Sequence, residues 1–350
     1  MRTPTRYRTI EVSGPPRELG RQIGEATREE IRGFCEVALE RMNKNVSVSR
    51  ERACDIARRS CEFADAYRPD LVEELRGTAE SAGLTLDELM LLQVRNQCTP
   101  DEECGCTSFA IERTGSTGPV VAQTWDNDPA LDEFTIVLTR RPEGRPATMS
   151  CTQAGLISYM GLSETGIGAC VNTLPAPSRA VGVPHYFTLR ELFEAESLEK
   201  AVRSVRRAHR AIPANIMLAT PDGIADLEVT IDDVRVLRGD HRGFITHTNH
   251  CLHPDLVSIN DHFPELIQSY ARKRRIAHLG GSMSGEVAAC KSVLRDHDGH
   301  PTSICRHAND DPLYGFWVTV FALIIEPRER RMHISRGTPC DHPFETYTMR

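Results

Sequence analysis

The chain opens on a short alternating stretch, Tyr7–Val12, that predicts a strand, and then changes period. Pro16 suits a helix start, and Ile31, Phe34, Cys35, Ala38, Leu39 and Met42 fall at i, i+3, i+4, i+7, i+8 and i+11, one apolar stripe on an amphipathic helix. A second helix is predicted over Arg50–Tyr67, and a third from Pro69 to a stop at Gly83. Thr85 caps a fourth, with Glu88 three residues on completing a capping box. Through residues 97–105 the periodicity collapses into a polar loop containing Pro and Gly, and beyond it the period becomes two. Strands are predicted at Cys106–Arg113 and Pro119–Trp125, joined by a hairpin turn at Thr114–Gly118. Further strands follow at Phe134–Thr139, Gly166–Asn172, Asn215–Ala219, Ile224–Val229, Val234–Leu237 and Gly243–His247. Helices interrupt at about His185–Ala208 and Asn260–Leu279, and Trp317–Ile325 with Arg331–Ser335 forms a closing hairpin. Helices on several stretches, with long antiparallel runs between them, predict a layered α+β fold. No internal repeat, low-complexity segment or clear linker divides the chain.

Composition narrows the class without naming it. With 350 residues, 40% hydrophobic and 26% charged, the chain is ordinary globular material, long enough for one large domain or two modest ones. Lys and Arg number 42 against 49 Asp and Glu, a net −7, which lacks the electrostatic footprint of a nucleic-acid binder. The N-terminus carries no apolar core of a signal peptide, and no stretch approaches the roughly 18 apolar residues of a membrane span. A cytoplasmic protein is expected, in a compartment where thiols stay reduced. Twelve cysteines are therefore core residues, metal ligands or nucleophiles. At about 3% of the chain they fall short of a small disulfide scaffold, and no C-x-x-C occurs to suggest a zinc ribbon or a thioredoxin-type pair.

The sharpest discontinuity lies at Gly105/Cys106, where the polar loop meets the first strand of the β-rich half. A thiol at the mouth of a sheet, preceded by Gly, is placed to attack its own upstream carbonyl, since Gly resists backbone distortion little. The plain alternative is a buried strand cysteine. His247, His250 and His253 invite a metal, but they lack the i, i+4 spacing of a helical zinc motif, and no metal site is expected. The glycines of 161–168 do not have dinucleotide-fingerprint spacing and read as turn glycines. The basic runs 203–207 and 272–275 read as solvated helix faces. Cys35 lies on the apolar stripe and Cys170 in a strand, both as core residues.

Gly105-Cys106-Thr107-Ser108-Phe109, followed by Gln123-Thr124-Trp125-Asp126, resembles the acyl-coenzyme A:6-aminopenicillanic acid acyltransferase family, cysteine N-terminal-nucleophile (Ntn) hydrolases of peptidase family C45, with β-alanyl-dopamine hydrolase among its relatives. Similar segments follow in order: 161–168, His247-Thr248-Asn249-His250, Ser303-Ile304-Cys305-Arg306-His307 and Gly337-Thr338-Pro339-Cys340, with 14–24 resembling the family's opening. The order across the chain is more specific than any one motif.

The resemblance implies one Ntn-hydrolase domain over 1–350, a four-layer αββα sandwich. It implies a precursor that cuts itself between Gly105 and Cys106 into a helical 105-residue α-chain and a 245-residue β-chain (350 − 105) that remain associated. The new Cys106 would supply a nucleophile together with its own α-amine as base, an amine whose ordinary pKa is about 8. Asp126 would hydrogen-bond near that amine; read locally it is a turn residue. Asn249 would donate its amide to the oxyanion; read locally it is a cap or turn asparagine. Ser108 would support processing, and Ser303 and Arg306 would line the site, Arg306 either binding a substrate carboxylate or pairing with a buried acid. Cys104, a second thiol beside Gly105, departs from the pattern; it is either an exposed bystander or half of a reversible disulfide.

The implied function is amide hydrolysis or acyl transfer on a small N-acyl amine through a Cys106 thioester. Acyl-coenzyme A-dependent N-acylation of a small amine is the near alternative, with the coenzyme A thioester as donor rather than a resident cofactor. A non-catalytic, uncut small-molecule binder is the alternative of another class, and a cysteine-rich metal protein a third. The final residues lack the S-K-L peroxisomal address, which weakens a close functional equation with peroxisomal penicillin-forming members. No nucleic-acid or membrane partner is expected.

Overall fold

The computed structural model describes residues 5–45, 48–98, 105–113, 118–281, 283–301, 303–312 and 315–350. The N-terminal part runs β1 (Thr9–Gly14), α1 (Pro16–Ala26), α2 (Arg28–Asn45), α3 (Arg50–Tyr67), α4 (Pro69–Ala82) and α5 (Leu86–Cys98). The β-rich part follows with β2 (Gly105–Ile111), β3 (Val120–Asn127), β4 (Thr135–Pro142), β5 (Thr148–Gln153), β6 (Met160–Ser163) and β7 (Gly168–Asn172). Next come α6 (His185–Phe193), α7 (Leu198–Arg207), β8 (Ala214–Thr220), β9 (Gly223–Val229), β10 (Val234–Arg238) and β11 (Phe244–His247). The last elements are α8 (Ser269–Gly280), α9 (Val287–Leu294), β12 (Val318–Glu326), β13 (Arg331–Arg336) and β14 (Phe344–Thr348).

Local chemistry explains most boundaries. The helix α4 ends where Gly83 turns left-handed at φ +71, the conformation glycine adopts without a Cβ clash. At the start of α5 the Thr85 hydroxyl accepts from the Glu88 N–H (3.2 Å), while the Glu88 carboxylate accepts from the Thr85 N–H (2.8 Å). This reciprocal capping satisfies donors that a helix start leaves open. Three expected helices are divided. The stripe after Pro16 breaks at Thr27, whose hydroxyl turns back onto the Ile23 carbonyl (2.7 Å), so α1 ends at Ala26 and α2 begins at Arg28. The stretch 185–208 is two helices, the second capped by Ser197 accepting from the Lys200 N–H. A 3-10 turn (Val257–His262) replaces the first part of the last expected helix. The hairpin turn expected at 114–118 lies almost wholly outside the described residues.

Two sheets stack face to face. One has eight strands in the order β1-β4-β5-β6-β7-β8-β9-β10, the other six in the order β11-β2-β3-β12-β13-β14. Only β1 with β4 pairs in parallel; the other ladders are antiparallel. Strands β2, β3 and β12 pack onto β6, β7 and β8. The outer face of the large sheet carries α1 and α7, and that of the small sheet carries α8 and α9. Helix, sheet, sheet, helix is the four-layer αββα order expected.

Alternation along β2 divides its side chains between two cores. Cys106 and Ala110 face the core between the sheets, beside Val121, Trp125 and Phe321. Phe109 and Ile111 face outward into a second cluster with Ile276 of α8 and Cys290, Val293 and Leu294 of α9. Period-two alternation thus sets the direction of Cys106 before any chemistry is considered.

The N-terminal helices are locked by small residues and one ionic knot. A Cβ on Gly20 would lie 1.9 Å from the Glu74 carbonyl oxygen, and one on Gly77 2.0 Å from the Arg17 carbonyl oxygen. Helices α1 and α4 therefore meet backbone to backbone. Where they meet, fully buried Glu74 accepts from Arg140 (2.7 Å) and Arg190 (3.4 Å), while Arg140 also donates to the Leu156 carbonyl (2.8 Å). This clamp joins helix, sheet and α6. Gly77→Ala should destabilise the fold by at least about 1–3 kcal/mol, because backbone rather than a movable side chain receives the methyl. Gly83→Ala, with open space around it, should lose only about 1–2 kcal/mol from its left-handed φ. Urea midpoints for both variants test this: equal losses would show that the helices can separate to admit the methyl.

Candidate active site

Cys106 is the second residue of β2, opposite Trp125, with Gly105 opposite Asp126. Its thiol faces the inter-sheet core, and its backbone is held on both sides of the Cα. The Cys106 N–H donates to Asn249 Oδ1 (3.0 Å), and its carbonyl accepts from Arg272 Nη1 (2.5 Å). Arg272 comes from α8 and has no solvent exposure. It also donates to Asn249 Oδ1 (2.8 Å), Thr107 Oγ1 (3.0 Å) and the Ile267 carbonyl (2.9 Å). The guanidinium fork ties the Cys106 carbonyl and the Thr107 hydroxyl to the asparagine that receives the Cys106 N–H, a task its fixed donor geometry suits.

The Asn249 amide has one orientation that chemistry allows. Its Nδ2 donates to the Thr173 carbonyl (2.9 Å), while Oδ1 receives the Cys106 N–H and Arg272. Both groups on the Oδ1 side are donors and Thr173 offers only an acceptor, so a flipped amide would lose three bonds at once. In the intact chain the asparagine NH2 is thus committed to Thr173, and the oxygen faces the nucleophile's nitrogen. Asn172, at the end of β7, donates to the Thr248 carbonyl (2.9 Å) and reaches the Cys106 carbonyl at 3.5 Å.

Asp126 is wholly buried on β3. Its Oδ1 accepts from the Thr319 hydroxyl (2.6 Å) of the pairing strand β12. Its Oδ2 has no hydrogen-bond partner among the described residues and lies 3.1 Å from where a Cβ on Gly105 would stand. Glycine at 105 therefore lets the chain pass close to this carboxylate. Burial pushes the Asp126 pKa up to about 6, although Arg272, the Thr319 hydroxyl and Arg306 pull it down. Thr319 is shared, since its Oγ1 also accepts from the Arg306 N–H (2.9 Å). Arg306 is nearly all buried, donates to the Trp317 carbonyl (3.2 Å) and to Gln268 (3.3 Å), and lines a surface cleft of about 380 Å³ with Gln268, Pro301 and Asn309. It stands between the buried Asp126, whose charge it influences, and an open cleft.

The remaining expected residues distribute around this centre. Ser108 shares the Cys106 face of β2, buried, its hydroxyl without a partner among the described residues. Ser303 is turned away, donating to the Cys305 carbonyl (2.7 Å), and so shapes the loop that carries Arg306. Cys104 lies outside the described residues. The histidines at 247, 250 and 253 brace a loop. His247 contacts Glu228 (2.9 Å), whose carboxylate also accepts from the Leu252 and His253 N–H groups, and His250 contacts Ser269 (2.7 Å). Burial opposes the charge on Glu228, but His247 and those N–H groups hold its pKa below the usual carboxylate value. This brace fixes the segment that presents Asn249.

Sequence reasoning missed Arg272, reading its run as a solvated face. Only part of the run is solvated: Arg274 is exposed, while Arg272 is buried. Buried Ser269, Arg272, Ile276 and Gly280 recur at i, i+3, i+7 and i+11, so helical spacing was the available signal. Thr319 and Asn172 were also missed, because a hydroxyl and an amide inside strands carry no distinctive pattern.

Comparison with known proteins adds an independent line. Residues 113–341 match the family model of acyl-coenzyme A:6-aminopenicillanic acid acyl-transferase. The chain is 27% identical over 345 residues to the acyl-coenzyme A:6-aminopenicillanic-acid-acyltransferase 40 kDa form of Emericella nidulans, covering 97% of this chain and 95% of that one. Among solved structures, penicillin V acylase from Agrobacterium tumefaciens superposes with a TM-score of 0.45 at 13% identity, over 65% of this chain and 82% of that one. A mutant of conjugated bile acid hydrolase from Clostridium perfringens superposes at 0.39 and 10% identity, over 70% and 97%. The family match spans well over half of the sequence, and the chain belongs to the acyl-coenzyme A:6-aminopenicillanic acid acyltransferase family.

Proposed function

We propose that this member of the family is a precursor that cuts itself between Gly105 and Cys106 and then acts as a cysteine amidohydrolase or acyltransferase on a small N-acyl amine. The observation that carries this is the convergence of buried polar groups on Gly105 and Cys106: Asn249 on the nitrogen of the Gly105–Cys106 bond, Arg272 on the Cys106 carbonyl of the next peptide, and the unpartnered Asp126 oxygen beside Gly105. A merely structural strand cysteine needs no such convergence of buried polar groups, each expensive to desolvate.

In the first stage the Cys106 sulfur attacks the Gly105 carbonyl carbon, the Gly105–Cys106 C–N bond breaks as its nitrogen takes a proton, and a thioester forms. Water hydrolyses it, leaving a Gly105 carboxylate, a free thiol and an α-amine. The amine stays on Asn249 Oδ1, which accepts from an amine as it does from an amide N–H, and the departure of Gly105 opens the space beneath Asp126. In the second stage the amine takes the thiol proton and the thiolate attacks the substrate carbonyl. The acyl-enzyme is resolved by water or by an amine acceptor; a coenzyme A thioester is the proposed acyl donor in the transfer direction. Asn249 acts chiefly through its oxygen, as a positioning group. The oxyanion role expected of its NH2 would require Nδ2 to exchange the Thr173 carbonyl for substrate. The cleft beside Arg306 is the proposed entry for substrate. The two fragments would remain together, since the core between the sheets and the N-terminal helices is one continuous cluster. A reducing, cytoplasmic setting is proposed, in keeping with the eleven described cysteines, all free.

Intact mass of the purified protein should give pieces of 105 and 245 residues in place of the 39.1 kDa precursor. Cys106→Ala should remain whole and inactive; a wild-type chain that stays whole on prolonged incubation favours the small-molecule binder instead. Asn249→Asp keeps the acceptor and should retain activity within about tenfold, whereas Asn249→Ala should fall by about a hundredfold or more. Equal losses in the two would return Asn249 to the oxyanion role. Because Asp126 titrates at about 6, its carboxylate is present above that pH. Self-cleavage should slow as pH falls through this value, by roughly tenfold per unit once the acid form dominates. Asp126→Asn should be slow and flat over the same range. A wild-type rate that does not change between about pH 7 and pH 5 takes the carboxylate out of the reaction.

A further inference from the structure

One cluster outside the reaction centre has the composition of a metal site. His297 and His307 meet through their Nε2 atoms at 2.9 Å. His307 Nε2 lies 3.3 Å from Cys340 Sγ and 3.7 Å from Cys305 Sγ, and the two sulfurs are 3.6 Å apart. All four donor atoms fall within 4.8 Å of one another, the one such group among the described residues.

The separations distinguish the possibilities. A disulfide needs sulfurs about 2.05 Å apart, and these are well beyond that. A tetrahedral zinc ion with bonds of about 2.3 Å to sulfur and 2.0–2.1 Å to nitrogen sets its ligands about 3.8 Å (S···S), 3.6 Å (S···N) and 3.3 Å (N···N) apart. The edges among Cys305, His307 and Cys340 follow that pattern to within a few tenths of an ångström, the histidine pair is about 0.4 Å close, and His297 lies within 4.8 Å of both sulfurs. Two imidazole nitrogens and two sulfurs converging on one point are four donor atoms that a cation at their centre would take up together. Two thiolates and two neutral imidazoles balance the charge of a divalent ion, and an S2N2 set selects zinc among the common ones.

We propose that His297, Cys305, His307 and Cys340 bind one zinc ion in a closed, structural Cys2His2 site. Binding releases the two thiol protons to solvent and changes no oxidation state. The ligands are held before the ion arrives. The Cys305 N–H donates to the Asp296 carbonyl (3.0 Å), and Arg295 donates to the Pro339 carbonyl (2.9 Å), tying the turn that bears Cys340 to the end of α9. Cys305 is buried and His297 exposed, which gives the ion a way in from solvent. The four ligands come from two segments far apart in sequence, between α9 and β12 and between β13 and β14. The ion would therefore pin the Arg306 loop, whose neighbours on either side are both ligands, to the edge of the small sheet. Chain spacing concealed the site: the segments 297–307 and 340 are more than thirty residues apart, and no motif of adjacent pairs marks them.

The full chain, purified without chelator, should carry about one zinc per precursor equivalent by elemental analysis. Thiol titration in denaturant with chelator should count all twelve cysteines. Cobalt substituted for zinc should show a thiolate-to-metal charge-transfer band and intense tetrahedral d–d bands. His297→Ala, at an exposed position where folding can be verified by circular dichroism, should reduce zinc retention on dialysis at least tenfold, in line with loss of one ligand. Cys340→Ser should abolish the cobalt–thiolate band. The proposal is overturned if the wild-type chain, incubated with excess zinc and dialysed, holds none. It is equally overturned by zinc held undiminished in both variants, or by ten thiols with a peptide map linking Cys305 to Cys340.

Discussion

The buried guanidinium of Arg272 is the constraint on which the rest of the centre depends. It touches the Cys106 carbonyl, Thr107, Asn249 and the carbonyl of Ile267. A cation without solvent exposure survives only when its donors are met, because desolvating it unpaired costs several kcal/mol. The acceptors around it are largely neutral oxygens, with Asp126 as the nearby opposite charge. Position of the helix, direction of the β2 peptide and rotamer of Asn249 are thus mutually fixed: moving any one leaves a donor of Arg272 facing nothing. The polar groups that hold Cys106 are pre-organised, each of their buried donors met within the fold.

Asp126 shows the opposing side of the same economy of charge. Two arginines and a threonine hydroxyl favour its ionised form, yet burial outweighs them and leaves its pKa at about 6. Between the unfolded value near 3.8 and about 6, the folded chain keeps a proton that the unfolded chain has released. Stability therefore falls as pH rises through that window, by on the order of 3 kcal/mol from this group, and remains lowered above it. The fold tolerates this because Glu74 with Arg140 and Arg190, and the glycine contact between α1 and α4, anchor the other end of the molecule. A buried carboxylate that titrates near neutral pH at the expense of stability is what the proposed role of Asp126 in self-cleavage requires.

How much of this was legible in sequence follows from the range of the interactions. Gly83 and the Thr85–Glu88 cap are local, so α3 to α5 emerge with accurate ends. The strands β5 and β6 lie among Thr, Ser, Gln and Gly, whose burial between two layers erases the polar-out alternation that would reveal them. Helix α9, only eight residues long, and the edge strand β14 carry too few apolar positions to stand out. Cys106, Asp126 and Asn249 rested on likeness to a family, since each alone reads as a strand or turn residue. Arg272 was hidden by its basic neighbours, although its spacing with Ile276 placed it on the buried stripe. What sequence could not contain was the pairing of Thr319 with Asp126 across 193 positions, which exists only once β3 and β12 are adjacent.

That pairing also relates the two centres of the molecule. Thr319 receives the Arg306 N–H and gives its own proton to Asp126, so the position of the Arg306 backbone sets the acceptor side of the carboxylate. Arg306 is flanked by Cys305 and His307, and the Cys305 carbonyl is held by Ser303. A displacement of this loop would therefore reach the carboxylate through two hydrogen bonds and nothing softer, in an interior too densely packed to absorb it. The Cys–His cluster and the cysteine on β2 share no atom, yet the loop between them has little freedom to move one without the other. A loop that both lines an open cleft and supports a buried acid must be stiff, and loops are not stiff by their own backbone entropy. Tying it to the β13–β14 turn supplies the rigidity that the strands themselves cannot extend to it.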